Sequence, residues 1–133
     1  MREIKFRFWD NIINNMYYGE EVSKSKNELR HNWYCITKEK GLMVGNVGPS
    51  GMDNYDLIIM QYTGLKDKNG VEIYEGDIVK IVSKVTGLFT KGKVVQGYGC
   101  FLVQYDWNTH LLCEFHNIEV IGNIYENPEL AGD

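Results

Sequence analysis

Met60-Gln61-Tyr62-Thr63-Gly64-Leu65-Lys66-Asp67-Lys68-Asn69-Gly70-Val71-Glu72-Ile73-Tyr74-Glu75-Gly76-Asp77-Ile78-Val79 is the stretch that decides the fold. Asp56 to Thr63 is rich in β-branched, aromatic and aliphatic residues, which predicts a strand. Asp67-Lys68-Asn69-Gly70 then breaks it with a tight turn, because Asn-Gly tolerates the positive φ that hairpin turns demand. Val71 to Tyr74 is the returning strand. Glu75-Gly76-Asp77 makes a second turn and delivers the chain into a strand from Ile78 to Val85. Gly76 supplies the awkward dihedral, and the Asp77 carboxylate can accept from nearby backbone N–H groups. This resembles the strand entry of SH3-like barrels.

Towards the C-terminus the same alternation predicts strands at Lys93 to Gln96, Cys100 to Tyr105, Thr109 to Phe115 and Ile118 to Tyr125. Thr86-Gly87, Gly97-Tyr98-Gly99 and Asp106 to Asn108 are the turns between them. Gly122-Asn123 inside the last apolar run marks a bulge or a close backbone approach. Towards the N-terminus, Ile4, Phe6 and Phe8 alternate with Glu3, Lys5 and Arg7, which predicts a strand with one buried face. Met16 to Tyr18 returns from it. Glu20 to Arg30 is polar and reads as a loop. His31 to Thr37 and Leu42 to Val47 are further strands. Gly45, Gly48, Pro49, Ser50 and Gly51, prolonged by Asp53 and Asn54, then break the chain. Both prolines, Pro49 and Pro128, fall outside the predicted strands, as their missing donor requires. The expected fold is mainly β. A small SH3-like barrel over residues 56–133 carries an irregular N-terminal β extension, residues 1–55, packed on it as one compact unit.

Hydrophobic residues make up 44% of the 133 and charged residues 24%, a balance that excludes wholesale disorder. A chain of this length builds a core without staples. The net charge of −4 argues against a uniformly basic nucleic-acid wrapper. No apolar run approaches the roughly 18 residues of a membrane span. The first residues lack the apolar stretch of a signal peptide. The expectation is a soluble chain acting in the cytoplasm, with no membrane partner.

Catalytic, metal and cofactor chemistry find little support. Cys35, Cys100 and Cys113 are odd in number and form no CxxC pair, so they read as small packed hydrophobes. His110, Cys113 and His116 suggest a metal triplet. On the strand expected there, the two histidines stand about 20 Å apart and the cysteine faces the other way. Zinc ligands must converge to roughly 2.3 Å. Gly87-Leu88-Phe89-Thr90-Lys91-Gly92-Lys93 begins like a phosphate-binding loop. Val94 replaces the required Ser or Thr, and a strand rather than a helix follows, so it reads as a glycine-rich hairpin loop. Glu75 and Asp77 sit in one turn rather than around a cleft. No catalytic residue, metal ligand or cofactor site is assigned.

Charge distribution is more informative. Residues 78–105 carry four lysines and no acid, and residues 106–133 carry six acids and no Lys or Arg. One reading is that basic and acidic strands neutralise each other as neighbours. The other is a contact surface. Lys80, Lys84, Lys91 and Lys93 interleave with Phe89 and Tyr98 as a nucleic-acid-binding strip would. Trp107, in a hairpin tip, either folds back on the barrel or meets a partner.

Three blocks resemble the YopX family of small phage and prophage proteins. They are Glu3 to Asp10 with Met16-Tyr17, Met60 to Val79, and Val120-Ile121-Gly122-Asn123-Ile124-Tyr125-Glu126-Asn127-Pro128-Glu129-Leu130. Phe8 stands where that pattern has a small residue. The resemblance implies a phage or prophage origin and a mainly β fold, and it brings no activity to carry over. The functional expectation is a non-enzymatic binding module meeting a host or phage protein, or a further copy of itself. The alternative is a nucleic-acid-binding module working through residues 78–105.

Overall fold

Alternating apolar side chains punctuated by Gly, Asn and Asp produce a mainly β protein with little helix, its strands paired antiparallel. The structure, a computed structural model, describes residues 3–18, 31–37, 41–47, 53–54 and 57–131, with side chains for 3–18 and 57–131. The loop expected at Glu20 to Arg30 and the break at Gly48 to Gly51 lie outside the described residues. The chain divides into two compact units, one of Lys5–Met60 and one built on Gln61–Asp133.

In the first unit, β1 (Phe6–Asp10) and β2 (Asn15–Tyr18) form a hairpin with Phe8 opposite Tyr17. The Asp10 carboxylate accepts the Ile12 N–H at 2.9 Å and shapes the turn. The sheet order continues from β1 to β6 (Leu57–Lys66), whose first residues belong to this unit. Phe8, Tyr17 and Leu57 form a small core with Phe6 and Ile59 against it. The expected single buried face of β1 is corrected here. Arg7 and Asp10 are buried along with Phe8 and Trp9, while Ile4 is exposed. Alternation reports which residues share a face; it does not report whether the second face is also covered. A second sheet joins β3 (His31–Thr37), β4 (Gly41–Val47) and β5 (Asp53–Asn54), with β4 central. Asp53 and Asn54, expected in a loop, pair with Val47 and Asn46. So short a pairing needs only a facing backbone, not strand-forming side chains.

In the second unit, β6 turns at Asp67 to Gly70 into β7 (Glu72–Tyr74). Five strands follow: β8 (Asp77–Val82), β9 (Phe89–Gly97), β10 (Cys100–Tyr105), β11 (Asn108–Leu111) and β12 (Glu119–Asn123). They form one sheet in the order β11-β10-β9-β8-β12. Among the described residues no ladder joins β11 to β12, so the sheet is open rather than closed by backbone hydrogen bonds. Its inner face carries the core: Val79, Ile81, Val94, Val103 and Tyr105, with Ile73, Leu112 and Ile118.

Two strand boundaries differ from expectation. Strand β9 begins at Phe89, not Lys93, because Ser83 closes the preceding turn. Its N–H donates to the Leu88 carbonyl at 2.8 Å, and its hydroxyl accepts from the N–H groups of Val85 and Thr86. The expected glycine-rich loop is therefore largely strand. A Cβ on Gly92 would stand 2.4 Å from Val103 Cγ1, so that position needs glycine for close packing against β10. The strand expected over Thr109 to Phe115 stops at Leu111, and a 3-10 turn occupies Leu112–Glu114. Leu112, buried in the core, is the reason: the chain must turn inward to deliver it.

At the C-terminal end the expected bulge is present, between Val120 and Gly122. A Cβ on Gly122 would lie 2.6 Å from Asn127 Oδ1 and 2.8 Å from Leu130 Cδ1. The missing side chain thus seats a short helix, α1 (Pro128–Ala131), against β12. Asn123 Oδ1 accepts the N–H groups of Tyr125 and Glu126 at 3.0 and 2.8 Å, which turns the chain into that helix. Pro128 sits at its first position, where no donor is needed.

Asp67 binds the two ends of this unit together. Its Oδ1 accepts the N–H groups of Asn69 and Val71 at 2.8 and 2.9 Å, and its Oδ2 accepts that of Val120 at 2.9 Å. Burial alone raises this carboxyl's pKa, but the amides of Val120, Val71 and Asn69, with Lys68 nearby, outweigh it and hold the pKa below 3.8. Asp67→Ala leaves all three donors without this acceptor and is expected to lose about 3 kcal/mol in urea melts at neutral pH. A depressed pKa stabilises the fold above the unfolded value near 3.8 and ceases to do so as pH falls through the folded value. The gap between wild type and Asp67→Ala should therefore narrow in melts repeated at acid pH below 3.8. Gly122→Ala is expected to cost about 1–3 kcal/mol by overpacking against α1, read in the same melts.

Candidate ligand-binding groove

Strand pairing decides which of the expected contact residues come together. Lys80 on β8 lies opposite Lys91 on β9, Ile78 opposite Lys93, and Val82 opposite Phe89. Side chains two apart share a face, so Lys80, Phe89, Lys91 and Lys93 all rise from the outer face of the sheet. The Lys80 ammonium stands 4.8 Å from the centroid of the Phe89 ring, a cation–π contact. Lys80 also faces Glu119 of β12 in register, but Glu119 is engaged by Lys68 at 3.5 Å. Among the described residues no ion pair involves Lys91 or Lys93. Charge cancellation between basic and acidic strands is thus incomplete.

Lys84 is not part of this group. It follows β8, pairs with Glu114 of the 3-10 turn, and lies 5.3 Å from the centroid of the Phe115 ring. Its hydrogen bond and charge hold the Glu114 carboxyl below the ordinary range. Tyr98 is also separate. It sits at the β9–β10 turn, five residues beyond Lys93, roughly 16 Å along the strand.

Trp107 belongs with the lysines. The β10–β11 turn consists of Asp106 and Trp107 at φ 50° and 66°, between the paired residues Tyr105 and Asn108. This is the doubly positive pattern of a two-residue hairpin turn. The Trp107 side chain is fully exposed, which answers the question left by the sequence: it does not fold back on the core. Together with Lys91, Lys93, Gln104, Ile78, Ile124 and Leu130 it lines a groove of about 580 Å³. The outer sheet face lines one side of the groove and α1 with the chain before it the other. Sequence reading missed that second side, because no local pattern says that α1 docks beside β12. Gly122 and Asn127-Pro128 were the signals available.

The two carboxylates considered for acid–base chemistry are held by backbone amides. Asp77 Oδ2 accepts the Tyr74 N–H at 2.8 Å, and Glu75 Oε1 accepts the Gln61 N–H at 3.3 Å. The 3-10 turn replaces the extended geometry assumed for His110, Cys113 and His116. His110 stacks on Tyr105 with centroids 4.8 Å apart, and Cys113 is exposed rather than packed as expected. Cys100 Sγ donates to the Gly97 carbonyl at 3.3 Å. Among the described residues no three His, Cys, Asp or Glu side chains converge as metal ligands.

These β-sheet units and their turns place the protein among small mainly β proteins, and the comparisons with known proteins narrow the class. The family model described as YopX protein matches residues 5–131, so the chain belongs to the YopX family. Its structure resembles the crystal structure of protein EF1440 from Enterococcus faecalis, with a TM-score of 0.66 at 25% identity, covering 98% of this chain and 99% of that one. It also resembles the crystal structure of YopX from Bacillus subtilis, with a TM-score of 0.58 at 25% identity, covering 98% of each chain. No curated protein matches the sequence. No helix among the described residues is long and apolar enough to cross a membrane.

Trp107 buries nothing in this chain and holds a left-handed backbone that bulky residues adopt at a cost of about 1–2 kcal/mol. Trp107→Gly relieves that strain and loses no packing. It is expected to raise stability by about 0.5–1 kcal/mol after the added chain entropy of glycine is subtracted, measured by urea denaturation.

Proposed function

We propose that this protein is a phage- or prophage-encoded, non-enzymatic binding module that acts in the host cytoplasm and takes an anionic macromolecule along its outer sheet face. The observation that carries the reading is the group Lys80, Lys91 and Lys93, gathered by strand register on one face, with no ion pair at the latter two among the described residues. Membership of the YopX family supports the phage origin. Five strands in the order β11-β10-β9-β8-β12, with a 3-10 turn before the last, support reading the second unit as an SH3-like barrel. Barrels of that kind serve many unrelated functions, so the site rather than the fold carries the argument. The commitment of Asp67, Glu75 and Asp77 to backbone amides supports a binding role over acid–base chemistry.

Retention on heparin at low ionic strength tests this reading. Wild type should be retained and should elute as salt rises, since phosphate- and sulfate-type contacts are screened and exchanged for ions. The triple variant K80E/K91E/K93E should flow through, and K84E should elute with wild type. Flow-through of the wild type, or unchanged retention of the triple variant, overturns it.

A further inference from the structure

We infer that the anionic partner is a single-stranded nucleic acid, held by its phosphates on Lys80, Lys91 and Lys93 and by its bases on Phe89 and Trp107. This deepens the reading above and rests on it. Charge selects an anion, and the aromatic rings select among anions. Phe89 is 64% exposed on the same face as the lysines, and Trp107 stands free of its own chain at the rim of the groove that Lys91 and Lys93 line. Neither ring contributes to the core. Lys80 caps one face of the Phe89 ring, and the rest of that exposed ring and the bare indole are stacking platforms for a base whose face is open.

Three features favour a single strand over a duplex or an acidic protein. Bases in a duplex keep their faces inside the stack, where neither Phe89 nor Trp107 can reach them. A groove of about 580 Å³ has the size of a small-ligand pocket and has room for a nucleotide. An acidic peptide would use the lysines but gains nothing particular from the indole. The backbone of the Asp106-Trp107 turn adds a further reason. Glycine is the residue such a turn favours at its second position, and a tryptophan is kept there in a left-handed conformation, fully exposed. Strain held at an exposed aromatic points to a use outside the fold. Gln104, opposite Lys93 on β10 and lining the same groove, offers an amide donor and acceptor to a base edge.

Fluorescence anisotropy tests the inference, using the whole protein and a labelled oligothymidine of about 15 nucleotides, a length within the range of small single-strand modules. The single strand should bind at least about tenfold tighter than a duplex of the same length, with a log–log salt slope of roughly −2 for three lysines on single-stranded phosphates. Trp107→Gly should weaken binding roughly 5- to 100-fold, the range for losing one stacked base. Because this variant is expected to be more stable than wild type, its loss of binding cannot come from unfolding. Tyr98→Gly makes the same change in a like turn away from the groove and should leave affinity unchanged. Equal or tighter binding of the duplex overturns the inference, as does competition by polyglutamate equal to that of unlabelled oligothymidine. Undiminished binding by Trp107→Gly overturns it as well. Retention on heparin without oligonucleotide binding removes this inference alone; loss of both removes the reading beneath it.

Discussion

One carboxylate joins the two ends of the C-terminal unit. Asp67 lies in the turn of the first hairpin and accepts two amides of that turn and a third from Val120, on the last strand. A backbone N–H at the start of β12 would otherwise have to find water or a further strand. With Asp67 in place, β12 is held at the head of the unit and free to pair with β8 along its other side. The Gly76 turn adds a second tie: its N–H donates to the Val94 carbonyl, and its carbonyl accepts the Ile124 N–H. Both turns lie in the short stretch between β6 and β8, so a few residues set where the sheet begins and where it ends.

The groove follows from that arrangement. Because β12 is pinned beside β8, the bulge at Ile121 and the bare Gly122 bring α1 alongside the sheet. Its Leu130 and Ala131 then face the same hollow as Lys91, Lys93 and the Trp107 hairpin. The inner face of the sheet is filled by aliphatic side chains and Tyr105, while the outer face carries the lysines and Phe89 alongside the buried Ile78.

Much of this was legible in the residues. Asn69-Gly70, Gly76-Asp77 and Gly97-Tyr98-Gly99 announced turns by their chemistry, and Gly70, Gly76, Tyr98 and Gly99 all adopt positive φ. The Gly122 bulge was readable for the same reason. The 3-10 turn at Leu112 was not, because the pull on Leu112 comes from a core assembled out of other strands. The early start of β9 was hidden too, since Thr90 to Gly92 have loop composition and become strand only through pairing with β8. Of the expected contact residues, Lys80, Phe89, Lys91 and Lys93 share one sheet face and Trp107 lines a groove with Lys91 and Lys93, while Lys84 and Tyr98 lie apart. Linear proximity cannot separate them; where β8 ends and where β9 turns does.

The sequence by itself determined the mainly β character, the turn positions, the basic segment and the family, because these depend on side-chain chemistry at neighbouring positions. Only the tertiary structure decided which lysines share a face, that Trp107 points away from the core, and that α1 lines a groove. Those outcomes depend on register and on contacts between residues far apart in the chain. Asp67 reaching Val120 and Gly122 making room for Leu130 are such contacts, and no local pattern encodes which distant partner a hydrogen bond or a bare Cα will find.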